Sequence, residues 1–223
     1  YRNEQKVKNT KFSEDESYNH IMMYFTALED KGLIVLPIHR AIHNPAYFDA
    51  EKFLFDLANF FTVIPYKAGK KTAAKVLKKL TRDIVKTGRD QHAFGLYLGQ
   101  GRFYLLALKD ESVIEEMVEE EKPKAWKKLD VTILHNVIFD RLLGIADQTA
   151  DKITYTKNET EAVALVDNKG YQLAFLLNPT KLEEITAIAS KLEKMPHKST
   201  YFYPKLLSGL VLNKFVHGDK IKG

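Results

Sequence analysis

The chain has no cysteine. That absence excludes a disulfide scaffold, thiol catalysis and cysteine-ligated zinc, and it suits a reducing, cytoplasmic setting. Long hydrophobic runs are also missing. The longest, Phe103-Tyr104-Leu105-Leu106-Ala107-Leu108, is far short of the roughly 20 apolar residues that a membrane-spanning helix needs. No leader pattern, low-complexity tract or internal repeat is visible, so no membrane partner is expected. Without secretory features, the sequon Asn158-Glu159-Thr160 is read as chance.

What is present is core-forming material. Of 223 residues, 45% are apolar and 11% aromatic, enough to build a sizeable buried interior. The net charge of +5 is too mild to imply nucleic acid by itself; its distribution matters more. The chain opens at Tyr1, without methionine, in charged sequence. A C-terminal part of a longer protein is therefore expected, folded as one compact unit over 1–223 with a seam near 121–125.

Periodicity supplies the elements. Ser13 and Glu16 form a capping-box pattern before Ile21, Met22, Phe25 and Leu28, predicting a helix that Gly32 ends. A buried strand is expected over 33–38, with Pro37 marking its end or a bulge. Asp49 predicts the cap of a second helix, and a short strand follows at 62–66. A helix over 72–86 carries Ala73, Val76, Leu77, Leu80 and Ile84 on one face. Strands over 92–98 and 102–108 meet at Gly99-Gln100-Gly101, where glycine supplies positive φ for a hairpin. An acidic helix over 111–121, helices over 129–143, 158–168 and from the Thr180/Glu183 box to 192, and strands at 153–155, 171–177 and 209–215 complete the reading. The expected fold is α+β (mixed α/β): a mixed sheet with one hairpin, covered by several helices.

Two constellations invite chemistry. Lys71, Lys75, Lys78, Arg82 and Lys86 fall at i, i+4, i+7, i+11 and i+15, one basic stripe opposite the apolar face. Such a stripe can meet phosphates with strong salt dependence; equally, it can be a solvated face opposite the acidic helix. The preceding Gly69-Lys70-Lys71-Thr72 departs from a phosphate-binding loop, because Ile64 stands where its first glycine belongs and an extra lysine precedes Thr72. Gly99-Gln100-Gly101 lacks a third glycine and a following helix, which excludes a dinucleotide fingerprint. His39 and His43 lack the helical glutamate of a metalloprotease pair, so no metal is expected.

The second constellation is the stretch Met195-Pro196-His197-Lys198-Ser199-Thr200-Tyr201-Phe202-Tyr203-Pro204-Lys205. Prolines at both ends predict a rigid loop, and Lys198, Ser199 and Thr200 can cradle an anion if their side chains and amides converge. His39-Arg40, just past a strand end, suits a phosphate or carboxylate in bidentate fashion. The candidate anion-binding set is His39, Arg40, Asn178, Lys198, Ser199, Thr200 and Tyr201. It requires two distant clusters to be neighbours; burial of the aromatics with local bonding of the polar groups is the plainer alternative. No catalytic residue is assigned, and the cofactor is left unspecified.

Four stretches together resemble one family: Val35-Leu36-Pro37-Ile38-His39-Arg40; Leu129-Asp130-Val131-Thr132-Ile133-Leu134-His135; Phe175-Leu176-Leu177-Asn178-Pro179-Thr180; and the 195–205 stretch. They are similar to the signature segments of domain-of-unknown-function family 1015 of bacteria and archaea. Members usually read Pro-Thr-His-Arg where this chain has Pro37-Ile38-His39-Arg40, so a hydroxyl is lost at position 38. The resemblance implies a further N-terminal half as partner, ending in an Asp-Gly-His-His-Arg motif that this sequence does not contain. That motif is similar to the signature of the ParB/sulfiredoxin superfamily, some of whose members bind nucleotide and transfer phosphate to small molecules. A nucleotide or phosphorylated small molecule is thus the implied ligand. Nucleic acid on the basic stripe, or a purely structural module, is the alternative.

Overall fold

A computed structural model describes residues 1–9, 11–43, 45, 48–69, 71–118, 121–145, 152–215 and 219–221. By its contacts the chain forms two units, 1–33 with 204–223, and 34–203.

The first unit holds helix α1 (Arg2–Lys8) and a 3-10 turn at Ser17–Asn19, whose Tyr18 ring lies edge-on to Tyr1 at 6.0 Å. The Asp219 carbonyl accepts from the Ser17 N–H at 3.0 Å. The helix expected beyond Ser13 is absent, and Met22, Tyr24 and Phe25 are exposed in irregular chain. Local bonds account for it. The Ser13 hydroxyl accepts from the Asp15 N–H, and the Asn19 amide donates to the carbonyls of Ser13 and Glu14, which diverts the first turn from helix. The strand expected over 209–215 is also absent, since 209–215 lies exposed and makes no ladder.

The second unit holds the working architecture. Strands β1 (Ile34–Leu36) and β2 (His39–Ile42) are split at Pro37. Helix α2 (Ala50–Phe60) starts where Asp49 accepts from the N–H groups of Glu51 and Lys52. Strand β3 (Phe61–Lys67), helix α3 (Ala73–Thr87), the hairpin β4 (Ala93–Tyr97) and β5 (Arg102–Leu108), and the short helices α4 (Ser112–Met117) and α5 (Lys124–Lys127) follow. Helix α6 (Asp130–Ile133) widens into a π-helical stretch over Leu134–Leu142. Strand β6 (Ile153–Thr156), helix α7 (Glu159–Asn168), strand β7 (Leu173–Leu176), helix α8 (Leu182–Ala189) and strand β8 (Tyr201–Tyr203) complete it. Of the acidic segment, Glu119 and Glu120 lie outside the described residues.

Six strands form one sheet in the order β3-β5-β4-β7-β2-β6, antiparallel at every pairing; β1 and β8 form a separate antiparallel pair. The fold is α+β. Successive residues of a strand face opposite sides. Phe94 and Leu96 join a core with α2, α4 and α6, while Ala93 and Tyr97 join one with α3 and α7. Each face buries large apolar side chains, each worth about 1.5–3 kcal/mol relative to exposure. At Gly101, φ is +74°, and a Cβ would sit 2.0 Å from the Ala68 carbonyl oxygen, so the hairpin turn requires glycine there.

Candidate functional site

Strand β2 lies between β7 and β6, which places Arg40 in the sheet interior at 1% exposure. Among the described residues its guanidinium meets no carboxylate and forms no ion pair. Nη1 donates to the Ile38 carbonyl and Nη2 donates to the Lys198 carbonyl at 2.8 Å, across 158 residues of sequence. The Tyr155 ring centroid is 5.7 Å from its Cζ. Burial pushes the group down to about 10, so it stays charged at neutral pH. Nε is buried with no hydrogen-bond partner.

Next to it, His39 Nδ1 accepts from the Leu177 N–H at 3.2 Å. An accepting Nδ1 carries no proton, so the neutral ring holds its hydrogen on Nε2. Burial first, opposed by Glu159 and aided by Arg40, lowers this imidazole to about 4. His39 is therefore a neutral strut between β2 and the end of β7.

The 195–205 stretch is a loop as far as Thr200 and then becomes β8, pairing Tyr201 with Leu36. Lys198 adopts φ +54°, a left-handed conformation that costs a non-glycine residue about 1 kcal/mol or more. The turn is held from inside at two successive carbonyls. Arg40 takes that of Lys198, and the Thr180 hydroxyl donates to that of Ser199 at 2.7 Å. Because Thr180 is spent there, the cap of α8 moves one residue on: Glu184, not Glu183, accepts from the Lys181 N–H at 2.8 Å. Ser199 is buried, its N–H directed to the Pro196 carbonyl and its hydroxyl unpartnered. Lys198 is exposed with Nζ 6.0 Å from the Tyr155 ring, and Thr200 is half-buried. Lys157 Nζ lies 5.1 Å from the Tyr201 ring.

Arg40 thus meets Lys198 directly, and Ser199, Thr200 and Tyr201 continue the same turn. His39 is tied to Leu177, next to Asn178. Asn178 itself turns toward α3, donating to the Ile84 carbonyl at 3.2 Å. It packs so closely on Gly88 that a Cβ there would sit 2.2 Å from its Nδ2.

Lys71, just before α3, and Lys75, Lys78, Arg82 and Lys86 on it are exposed and, among the described residues, form no ion pair. The acidic segment turns elsewhere, Glu111 to Lys128 and Glu115 to Lys124. The Thr72 hydroxyl closes a local turn with Gly69, and Lys70 lies outside the described residues. His43 packs edge-on against Tyr171 at 5.0 Å.

Sequence reasoning passed over a pocket of about 560 Å³ between the end of α3, the starts of α4 and α6, and the 178–184 segment. His92, Glu111, Asp130, Lys181 and Glu184 line it, with Asn178 from the anion set. His92 Nδ1 lies 2.8 Å from Asp130 Oδ1. Asp130 stands inside one of the family-like stretches, but its partner is 38 residues away, and no spacing rule joins them.

The family model described as "Protein of unknown function (DUF1015)" matches residues 1–132, more than half of the chain. No curated protein matches. Among solved structures, a conserved hypothetical protein from Pyrococcus furiosus is 15% identical with a TM-score of 0.41, covering 80% of this chain and 60% of that one. A free serine kinase in complex with AMP is 12% identical with a TM-score of 0.42, covering 80% and 57%. A variant of a free serine kinase with ADP is 13% identical at 0.41, with the same coverage. The chain spans 57 to 60% of the length of these proteins. On the family match, this chain belongs to the DUF1015 family of proteins of unknown function.

Proposed function

We propose that the chain supplies one wall of an anion or phospho-ligand site, centred on the Lys198-Ser199-Thr200 turn, in a nucleotide-dependent small-molecule phosphotransferase. The observation that carries this reading is the tethering of the turn. Arg40 and Thr180 draw the carbonyls of Lys198 and Ser199 inward. A peptide unit points its N–H opposite its C=O, so the amide of Thr200 is turned away from the Thr180 hydroxyl; Lys198, two residues before it, is exposed. An amide, an ammonium and a hydroxyl are the donors an oxyanion takes. A further support is electrostatic: Arg40 is a buried cation with no carboxylate partner among the described residues, and its field favours negative charge nearby. In this reading His39 and Arg40 hold the wall, Tyr201 anchors it to β1, Asn178 braces the adjoining loop, and phosphoryl chemistry falls to the N-terminal half that the family resemblance implies.

Thermal-shift titration of the intact protein with ATP, ADP and inorganic phosphate tests it. Stabilisation by at least one of them, lost in Lys198→Asn, is expected. Asparagine tolerates the left-handed backbone and removes the charge. No stabilisation by any of the three, or equal stabilisation of the variant, would sink the reading.

A second reading, nucleic-acid binding, has one observation in its favour: the α3 stripe is exposed and lacks acidic partners among the described residues. It expects duplex affinity that falls steeply with salt and is reduced by Lys75→Gln/Lys78→Gln/Arg82→Gln. A flat salt response would reject it.

A further inference from the structure

The segment that steadies Ser199 through Thr180 also presents Asn178, Pro179 and Lys181 to the pocket of about 560 Å³. Small-molecule sites typically enclose about 300–1,000 Å³ and carry a few convergent polar groups. Here the convergent groups are His92, Glu111 and Glu184, and their hydrogen bonding is lopsided.

Asp130 Oδ1 lies 2.8 Å from His92 Nδ1, so in the neutral form of the ring this contact takes the hydrogen on Nδ1 and leaves a lone pair on Nε2. Nε2 is 3.6 Å from Glu111 Oε1, too far for a hydrogen bond. Glu111 spends its other oxygen, Oε2, on Lys128. Glu184 spends Oε2 on the Lys181 N–H, and among the described residues no donor meets its Oε1. Lys181, one of two cations in the lining with Arg89, donates Nζ to the Gly88 carbonyl at 3.3 Å. Among the described residues, two carboxylate oxygens and, in the neutral ring, an imidazole nitrogen therefore stand at one cavity with no hydrogen bond to them.

We propose that this pocket binds a small primary amine, whose ammonium group donates to His92 Nε2, Glu111 Oε1 and Glu184 Oε1. A hydroxyl would bring one donor and no charge; an ammonium brings three donors and the positive charge that two carboxylates call for. Burial first, opposed by the Lys181 N–H bond and aided by the negative charge of Asp130, holds Glu184 above the usual carboxylate range. The locked imidazole separates this arrangement from an ordinary acidic surface, because Asp130 fixes which nitrogen is left to accept. The inference goes beyond the phospho-ligand reading and stands on different residues.

The test is isothermal titration calorimetry of the chain with ethanolamine and putrescine, with tetramethylammonium as a cation that has no N–H. Saturable binding of a primary amine is expected, at least tenfold weaker in Glu184→Gln and in Glu111→Gln. The glutamine oxygen at 184 can still accept from the Lys181 N–H, so that variant keeps its helix cap and its fold. Heteronuclear NMR should show the His92 imidazole signals moving on titration with the same saturation curve. No saturable binding of either amine, equal binding of tetramethylammonium, or affinity unchanged in Glu184→Gln would each overturn the proposal.

Discussion

The Arg40 junction and the His92 pocket are two polar regions of the same α+β unit, and they use polar groups in opposite ways. At the junction a cation is sealed at 1% exposure, and both ends of its fork are occupied by main-chain carbonyls. In the pocket the polar groups are partly open, and several are left without a partner of the right kind. The difference lies in what each region must hold still. A buried guanidinium is costly to desolvate, and here both terminal nitrogens are committed to main-chain carbonyls while Nε stays unpartnered, so the bonds it does make are taken up by structure. A half-open wall keeps its groups hydrated at little cost and can leave them for a guest.

The contrast can be broken most directly at Arg40. Arg40→Ala leaves the Ile38 and Lys198 carbonyls without their donor and opens a hole in the sheet. A loss of about 3–5 kcal/mol in chemical denaturation is expected. By comparison, Glu111→Gln at the half-exposed pocket wall should cost less than about 1 kcal/mol. Equal losses would end the distinction between the two regions.

The next effect is a pH dependence at His39. Its folded value, about 4, lies below the ordinary 6.5 of an unfolded chain, so folding favours the neutral ring. The unfolded chain binds more protons between those values. The contribution is therefore complete above pH 6.5 and is lost as pH falls toward 4, by up to about 3 kcal/mol. Melting temperature against pH in the wild type and in His39→Gln checks it; the variant should lose that part of the slope.

A smaller effect is expected at the seam between pocket and helix. Gly88→Ala must push aside the Asn178 side chain, 2.2 Å from the new Cβ, and break its bond to the Ile84 carbonyl, which keeps the N–H of residue 88. A loss of about 1–2 kcal/mol follows, and Asn178→Gly should reduce the added penalty in a double-mutant cycle. Smallest of all is Lys198→Asn, which should change stability by about 0.5 kcal/mol or less while removing anion affinity. An intact affinity would move the ligand-holding role away from the turn.

How far the sequence could be read depended on whether the signal was local. The apolar stripe of α3, the Gly99-Gln100-Gly101 hairpin and the cap at Asp49 were all legible, because each is decided within a few residues. Ser13 and Thr180 misled for one shared reason: a hydroxyl that can cap a helix can also bond elsewhere, and theirs do. The proximity of Arg40 to Lys198 could be suspected from chemistry, but whether the guanidinium points to a ligand or to a carbonyl is decided by burial. The His92–Asp130 pair left no trace in spacing, since only the tertiary fold brings β4 and α6 together.

Between Leu177 and Lys181 the chain answers to both regions within five residues. Leu177 is bonded to His39, Thr180 to Ser199, and Asn178 and Lys181 to the end of α3. A guest that shifts Pro179 must alter the reach of the neighbouring hydroxyl, and hence the posture of the 198–200 turn. Occupancy of one region would then be felt at the other by a common factor in either direction, so that amine titration would change phosphate affinity as much as phosphate changes that of the amine.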